Sequence, residues 1–104
     1  MTEFAPLLHD ILDQINSRFG EKKITAIHTM CDNGLKADGI VHGVTFRCLT
    51  ESHGKLIVDW INNNWVYDKS RPAIKCGSLH RNGSDDYHIN LQVHNRTEEV
   101  KFGT

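Results

Sequence analysis

The feature that most constrains this chain is a change of hydrophobic period near Gly20. Before Gly20, apolar residues recur at the spacing of one helical face, and after it apolar and polar residues mostly alternate as they do in strands. The helical face is formed by Phe4, Leu7, Leu8, Ile11, Leu12, Ile15 and Phe19. This change predicts an α+β fold, with one N-terminal amphipathic helix packed on a curved antiparallel sheet of about four to six strands.

The ends of the helix are marked by two residues. Pro6 suits the first helical position, because its ring fixes φ and it has no N–H to leave unpaired. Gly20 can take the positive φ that ends a helix after Phe19. We therefore predict one domain over residues 1–104, with a helix at about 5–19 and a strand-rich part at about 23–102.

The first half of the strand-rich part predicts two strands and one ambiguous segment. A strand at 24–30 is followed by turn signals at 31–34 and 38–39, and a second strand spans 40–49. One face of that second strand carries Ile40, His42, Val44, Phe46 and Cys48. Residues 53–54 are expected to form a turn before 55–61, a segment that fits strand and helix spacing alike and for which we favour strand. The three asparagines at 62–64 then indicate a bulge or turn.

The second half predicts further strands with a clear alternation. We expect one strand near 73–79, a turn at 82–83 and a long strand at 87–94, with a short edge strand at 100–102. In the long strand, one face is apolar and the other carries His88, Asn90, Gln92 and His94. This polar row is expected to be a solvated face or a recognition strip. A metal site is disfavoured, because His88 and His94 lie about 20 Å apart along an extended strand and cannot bind one ion together.

Composition disfavours several classes of protein. Lys and Arg total 12 against 13 for Asp and Glu, so the net charge of −1 provides no field that would concentrate nucleic acid or an anionic membrane. We see no export signal and no apolar run long enough to cross a bilayer, and therefore expect a cytoplasmic protein without membrane association. Three widely spaced cysteines predict reduced thiols rather than a disulfide framework.

Catalytic signals are weak. His42 is predicted on an apolar face, where it is either a neutral, hydrogen-bonded core residue or lines a pocket with Cys48 nearby. The chain has no paired metal-ligand motif, no phosphate-binding loop and no nucleophile elbow. We therefore expect no metal and no cofactor, and the sequence favours a non-enzymatic role.

The aromatic residues near the middle of the chain suggest an interaction surface. Trp65 and Tyr67 precede Lys69 and Arg71, and Trp, Tyr and Arg are enriched at the hot spots of protein interfaces. If 62–64 form a bulge, the two rings can point outward, whereas the alternative places both rings in the core over the helix. Both placements are open at this stage.

These observations favour a small soluble protein-interaction module, an inhibitor or accessory factor that occupies a partner's surface, with strand pairing at an exposed edge as one way to bind. A helix before an antiparallel meander is loosely similar to cystatin-like and other helix-on-curved-sheet folds, a likeness of architecture alone. The alternatives are a small-molecule-binding or catalytic domain around His42 and a weak nucleic-acid binder. The latter would use Lys69, Arg71, Lys75 and Arg81 with Trp65 and Tyr67. A homodimer is also conceivable.

Overall fold

A computed structural model of the chain describes residues 3–28, 40–81, 87–94 and 96–100. In chain order its elements are β1 (Glu3–Phe4), α1 (Pro6–Phe19), β2 (Ile24–His28), β3 (Ile40–Val41), β4 (Gly43–Cys48), α2 (Glu51–Asn64), β5 (Trp65–Val66), β6 (Gly77–Arg81), β7 (Tyr87–Gln92) and β8 (Glu98–Glu99). The predicted fold class is confirmed, since α1 packs on an antiparallel sheet of four strands. The prediction of one helix is wrong, because α2 is a second helix.

The N-terminal helix begins and ends where the sequence predicts. Pro6 occupies its first turn, and Gly20 follows its last residue with a φ of 88°. The residues that α1 buries are Leu8, Ile11, Leu12 and Ile15. Phe4, predicted on the helical face, lies before the helix in β1, because the backbone at Ala5 is extended and α1 begins only at Pro6.

The second helix occupies the segment for which a strand was favoured. Thr50 is its N-cap, and the Thr50 Oγ1 atom accepts the backbone N–H of His53 at 3.1 Å. Ile57 and Ile61 lie one turn apart and are both fully buried. The predicted turn at 53–54, strand at 55–61 and bulge at 62–64 are therefore wrong, since all these residues belong to one amphipathic helix.

Gly54 lies where the first turn of α2 packs closely against the sheet. A Cβ atom on this residue would lie 2.7 Å from Leu79 Cδ1 and 2.9 Å from Cys48 Sγ, distances shorter than van der Waals contact. The absence of a side chain at Gly54 thus allows the first turn of α2 to rest on β4 and β6. A glycine that resembles a turn signal in the sequence has a packing role in the fold.

The main sheet has the strand order β2-β4-β7-β6, and every neighbouring pair is antiparallel. The two central strands supply Val44, Phe46, Ile89 and Leu91 to the core, and each of these is at most 1% exposed. They share one hydrophobic cluster with the buried residues of α1 and α2. The predicted alternation of 87–93 is confirmed at Ile89, Leu91 and Val93, which are buried.

The predicted strand at 40–49 is interrupted at His42. Its first two residues, in β3, pair in parallel with β1, whereas β4 pairs with β2 and β7. The break shifts the alternation, so that Val41, predicted on the face opposite Val44, is also buried. His42 is only half-buried and does not lie among the fully buried residues of β4.

The other strands differ from prediction mainly in their bounds. The strand predicted near 73–79 lies at Gly77–Arg81, and β5 pairs with β8, which ends at Glu99. Of the edge strand predicted at 100–102, only Val100 is among the described residues. Val100 follows β8 and donates its N–H to the Asn64 carbonyl at 2.8 Å. The turns predicted at 31–34, 38–39 and 82–83, together with Met30 and Phe102, lie outside the described residues.

Candidate functional site

One face of the main sheet carries a continuous group of polar side chains. Because neighbouring residues of a strand point to opposite faces, these side chains alternate with the buried residues of the same strands. We call this group the polar face, and its members are Thr45 and Arg47 of β4, Ser78 and His80 of β6, and His88, Asn90 and Gln92 of β7. All seven residues are half-buried or exposed.

The strand register arranges the polar face in rows across the sheet. Arg47 lies opposite His88, which lies opposite His80 on the other side. Directly opposite residues of antiparallel strands have Cβ atoms about 4.5–5.5 Å apart, so this row places one arginine and two histidines side by side across three strands. The second row contains Thr45, Asn90 and Ser78 in the same manner.

Hydrogen bonds hold several of these side chains in place. The Thr45 hydroxyl donates to Asn90 Oδ1 at 2.6 Å, and Ser78 Oγ lies 3.1 Å from His80 Nε2. At the end of β7, Gln92 Nε2 donates to the Lys75 carbonyl at 3.0 Å. The polar face is thus partly organised by bonds among its own members.

The structure separates the predicted recognition strip into two places. His88, Asn90 and Gln92 belong to the polar face, whereas His94 lies beyond β7, with its ring centroid 5.6 Å from that of Tyr67. The backbone N–H of His94 donates to Thr97 Oγ1 at 2.7 Å. The members on β4 and β6 were not predicted, because periodicity along β7 does not identify its neighbours.

The structure decides between the two placements left open for the central aromatic residues. Trp65 and Tyr67 are each only 4% exposed and belong to the core. The rings of Trp60 and Trp65 meet edge to face, with 5.1 Å between their centroids. The outward placement is therefore wrong, since no bulge precedes Trp65 and the chain passes directly from α2 into β5. These two rings therefore offer almost no exposed aromatic area to a partner.

Lys69 and Arg71 lie in a group of charged residues around Asp68, which is 2% exposed. Asp68 Oδ1 accepts the Ser70 N–H at 3.0 Å and the Ser70 hydroxyl at 2.7 Å, and Oδ2 accepts from Arg71 Nε at 2.9 Å. Lys69 forms an ion pair with Glu98 at 2.6 Å. These cations are thus paired within the chain, and the Asp68 side chain closes a turn in which the Arg71 N–H donates to the Asp68 carbonyl at 2.9 Å.

The bonds around Asp68 lower the pKa of its carboxyl group to about 2, from an ordinary value of 3.8, and the Ser70 hydroxyl is the largest cause. Because the pKa is lower in the folded chain, the carboxylate stabilises the fold above about pH 3.8. That stabilisation is lost as the pH falls through about 2. Asp68→Asn should lower Tm by roughly 5 °C at pH 6. The difference in Tm between Asp68→Asn and wild type should become smaller as the pH falls from 4 to 2.5. Thermal unfolding at each pH measures this difference.

The control for this prediction is Asp59→Asn, which removes one carboxylate from an exposed position on α2. Surface substitutions of this kind change stability little. If the difference in Tm between Asp68→Asn and wild type stayed constant from pH 6 to pH 2.5, the role assigned to the Asp68 carboxylate would be contradicted.

The predicted pocket around His42 and Cys48 is not assembled. The two residues are six positions apart along β4 and its extension, which corresponds to about 20 Å. Cys48 instead lies beside Gly54 of α2, and burial raises the pKa of its thiol. Cys76 is also buried, which raises the pKa of its thiol to about 12. Both thiols are free and protonated at neutral pH, the form that is a poor nucleophile.

A small polar cluster joins the end of α1 to the start of α2. Lys22 Nζ lies 2.9 Å from His53 Nε2 and donates to the Phe19 carbonyl at 3.0 Å. Burial and the charge of Lys22, in that order, lower the pKa of His53. The Phe19 ring also packs edge to face against Trp60, with 5.6 Å between centroids. These contacts connect the two helices.

The four cations of the nucleic-acid hypothesis do not form one basic patch. Arg71 and Lys69 bind carboxylates, while Arg81 lies over the Tyr87 ring at 5.9 Å and Lys75 is exposed.

Within the described ranges, no three His, Cys, Asp or Glu residues are grouped closely enough to hold a metal ion. Neither α1 nor α2 has the length and apolar character needed to cross a membrane. Protein-family models, characterised proteins and solved structures yield no match to this chain.

Proposed function

We propose that this chain is a protein-interaction module whose polar face binds an acidic surface of a partner protein. By covering that surface, the module would act as an inhibitor or an accessory factor. The observation that carries the proposal is the row of Arg47, His88 and His80 across three neighbouring strands. Among the described residues, a catalytic role has no comparable arrangement in its favour, because His42 and Cys48 lie far apart.

The chemistry of the polar face supports an acidic partner. None of its seven members is a carboxylate, whereas Arg47 carries a permanent positive charge and an exposed side chain. The remaining hydroxyl, amide and imidazole groups can donate and accept hydrogen bonds. Complementary charge and hydrogen bonding are the features that give specificity and fast association to a protein interface.

The position of the polar face supports a preorganised surface. Arg47 and Thr45 lie on β4, and His88 and Asn90 lie on β7. These are the two central strands of the sheet, so each is paired on both sides. Phe46 and Ile89, which alternate with them, are fully buried and hold the two strands on the core. A surface that is ordered before binding loses less conformational entropy when the partner arrives.

A protein partner fits this surface better than nucleic acid does. Single-stranded nucleic acid is bound through aromatic rings that stack on bases, and the polar face contains no Phe, Tyr or Trp. Binding the phosphate backbone of a nucleic acid also requires several cations, whereas the whole chain has a net charge of −1. Trp65 and Tyr67, the two rings that the nucleic-acid alternative would stack on bases, are each 4% exposed and belong to the core.

The test compares capture by three purified proteins: wild type, Arg47→Glu and Lys55→Glu. The two substitutions make the same change of charge, but Lys55 lies on α2, where it pairs with Glu51 at 3.3 Å. From nuclease-treated native lysate, we expect wild type and Lys55→Glu to retain the same protein in stoichiometric amount. Arg47→Glu should bind it at least about tenfold more weakly, because like charges then face each other across the interface.

Three outcomes would contradict the proposal. Equal binding by Arg47→Glu and wild type would exclude the polar face as the contact surface. Retention of the material from untreated lysate but not from nuclease-treated lysate would favour the nucleic-acid alternative. If wild type retained no protein, the module would have no stable partner under these conditions, and small-molecule screening would follow. Circular dichroism of each variant verifies that the fold is intact.

A further inference from the structure

A lysine and a histidine meet where the end of α1 lies against the start of α2. Lys22 follows α1, and its Nζ atom lies 2.9 Å from Nε2 of His53, which belongs to the first turn of α2. Both residues are half-buried. They are 31 positions apart in the chain, so the contact links two elements that only the tertiary structure brings together.

The chemistry of this hydrogen bond fixes the protonation state of His53. An ammonium group can only donate, and Nζ of Lys22 also donates to the Phe19 carbonyl at 3.0 Å. Nε2 of His53 is therefore the acceptor, and an imidazole nitrogen accepts only when it carries no proton. The contact thus requires the neutral imidazole, because a second proton would remove the acceptor and place a positive charge beside the ammonium group.

Among the described residues packed around His53, only Lys22 brings a charge toward it. From α1, the Phe19 ring meets the imidazole edge to face, with 6.1 Å between the centroids. From the sheet, the first turn of α2 meets the apolar Leu79 and the thiol of Cys48, which is protonated at neutral pH. The surroundings from these elements therefore favour the neutral form of the ring.

The carboxylates closest to this contact in the sequence do not offset the charge of Lys22. Glu51 forms an ion pair with Lys55 at 3.3 Å, and Glu21 is exposed. The pKa of His53 is accordingly lowered from an ordinary value of 6.5, first by burial and then by the charge of Lys22. Because the unfolded chain binds this proton more readily, the contact stabilises the fold above about pH 6.5. That stabilisation is lost as the pH falls through the lowered pKa.

We propose that the contact between Lys22 and His53 is a pH-sensitive switch, and that protonation of His53 releases the end of α1 from the start of α2. The protonated ring faces a second cation, so Lys22 moves into solvent and its bond to the Phe19 carbonyl is lost. The Phe19 ring then leaves Trp60, against which it packs with 5.6 Å between centroids. The switch does not involve the polar face, and it is therefore independent of the proposed function.

Thermal unfolding of the full chain at two pH values tests the switch through His53→Gln. Glutamine keeps an acceptor for Lys22 but cannot become charged. The Tm of the variant minus that of wild type should therefore rise by at least about 3 °C between about pH 7.5 and about pH 5. His9→Gln is the matched control, since His9 lies exposed on α1 beside Asp13, at 3.4 Å. Its difference from wild type should not rise, because a carboxylate favours protonated His9.

Acrylamide quenching of tryptophan fluorescence at the same two pH values tests the release of α1. Trp65 is only 4% exposed, so quenching reports mainly on Trp60. Wild type should be quenched more strongly at the lower pH, whereas His53→Gln should be quenched equally at both. Lys22→Met lacks both Nζ bonds and should be quenched strongly at both pH values, which provides a second test. Circular dichroism verifies that each variant is folded.

Three results would overturn the proposal. The first is a Tm difference between His53→Gln and wild type that is the same at both pH values. The second is an equal rise for His9→Gln, which would show that the effect is not specific to the contact with Lys22. The third is quenching of wild type that does not change with pH, because the end of α1 would then remain on α2 when His53 is protonated.

Discussion

Phe46→Ala is expected to lower the free energy of unfolding by about 3–5 kcal/mol, the range for removing a fully buried phenylalanine from a core. Phe46 is the largest of the fully buried side chains and lies on β4, a central strand. Its loss would leave a cavity between the sheet and the helices that the paired strands cannot close. Urea unfolding of wild type and variant, followed by circular dichroism, measures the difference.

The adjacent residue is the control for this prediction. Arg47 follows Phe46 in β4, but its side chain is exposed on the polar face. Arg47→Ala should therefore change the free energy of unfolding by less than about 0.5 kcal/mol, and under the proposed function it should weaken partner binding. Similar destabilisation by the two substitutions would contradict the assignment of Phe46 to the core face and Arg47 to the polar face.

Ile57→Ala is expected to cost about 2–5 kcal/mol of stability, whereas Leu56→Ala should cost less than about 0.5 kcal/mol. Ile57 is fully buried against the sheet, and its neighbour Leu56 is 58% exposed. Both substitutions remove aliphatic carbon from a helix, and alanine is the best helix former, so helix propensity does not explain a difference between them. The same urea measurement applies.

This pair of variants also distinguishes the helix from the strand predicted for 55–61. In a strand, Leu56, Val58 and Trp60 would share one apolar face, and that face would be the one to bury. In α2, the buried positions are instead Gly54, Ile57 and Ile61, which lie three and four residues apart. A larger loss of stability for Leu56→Ala than for Ile57→Ala would contradict the helix.

Local sequence was sufficient for the elements whose signals agree with one another. In α1, the apolar spacing, Pro6 at the start and Gly20 after the end all indicate the same helix. In β7, the alternation of apolar and polar residues specifies both a strand and which of its faces is buried. Each signal is contained in a short stretch of chain, so no knowledge of distant residues is needed.

Local signals conflict in α2, and there the packing of distant residues decided the outcome. The β-branched residues Ile57, Val58 and Ile61 are common in strands, while their spacing also suits a helix. The helix prevails because Thr50 caps its N-terminus and Gly54 lets it rest on Leu79, a residue 25 positions later in the chain. The consequence for the site is that Trp65 enters β5 directly from a helix and turns into the core.

The candidate site was predicted only along single strands. The sequence by itself determined that His88, Asn90 and Gln92 share the polar side of β7, because alternation is a property of one extended chain. Only the tertiary structure decided that Arg47 and His80 flank His88, and that β2 forms an edge. Strand order and register depend on contacts between residues far apart in the chain, and the periodicity of each strand is compatible with many such pairings.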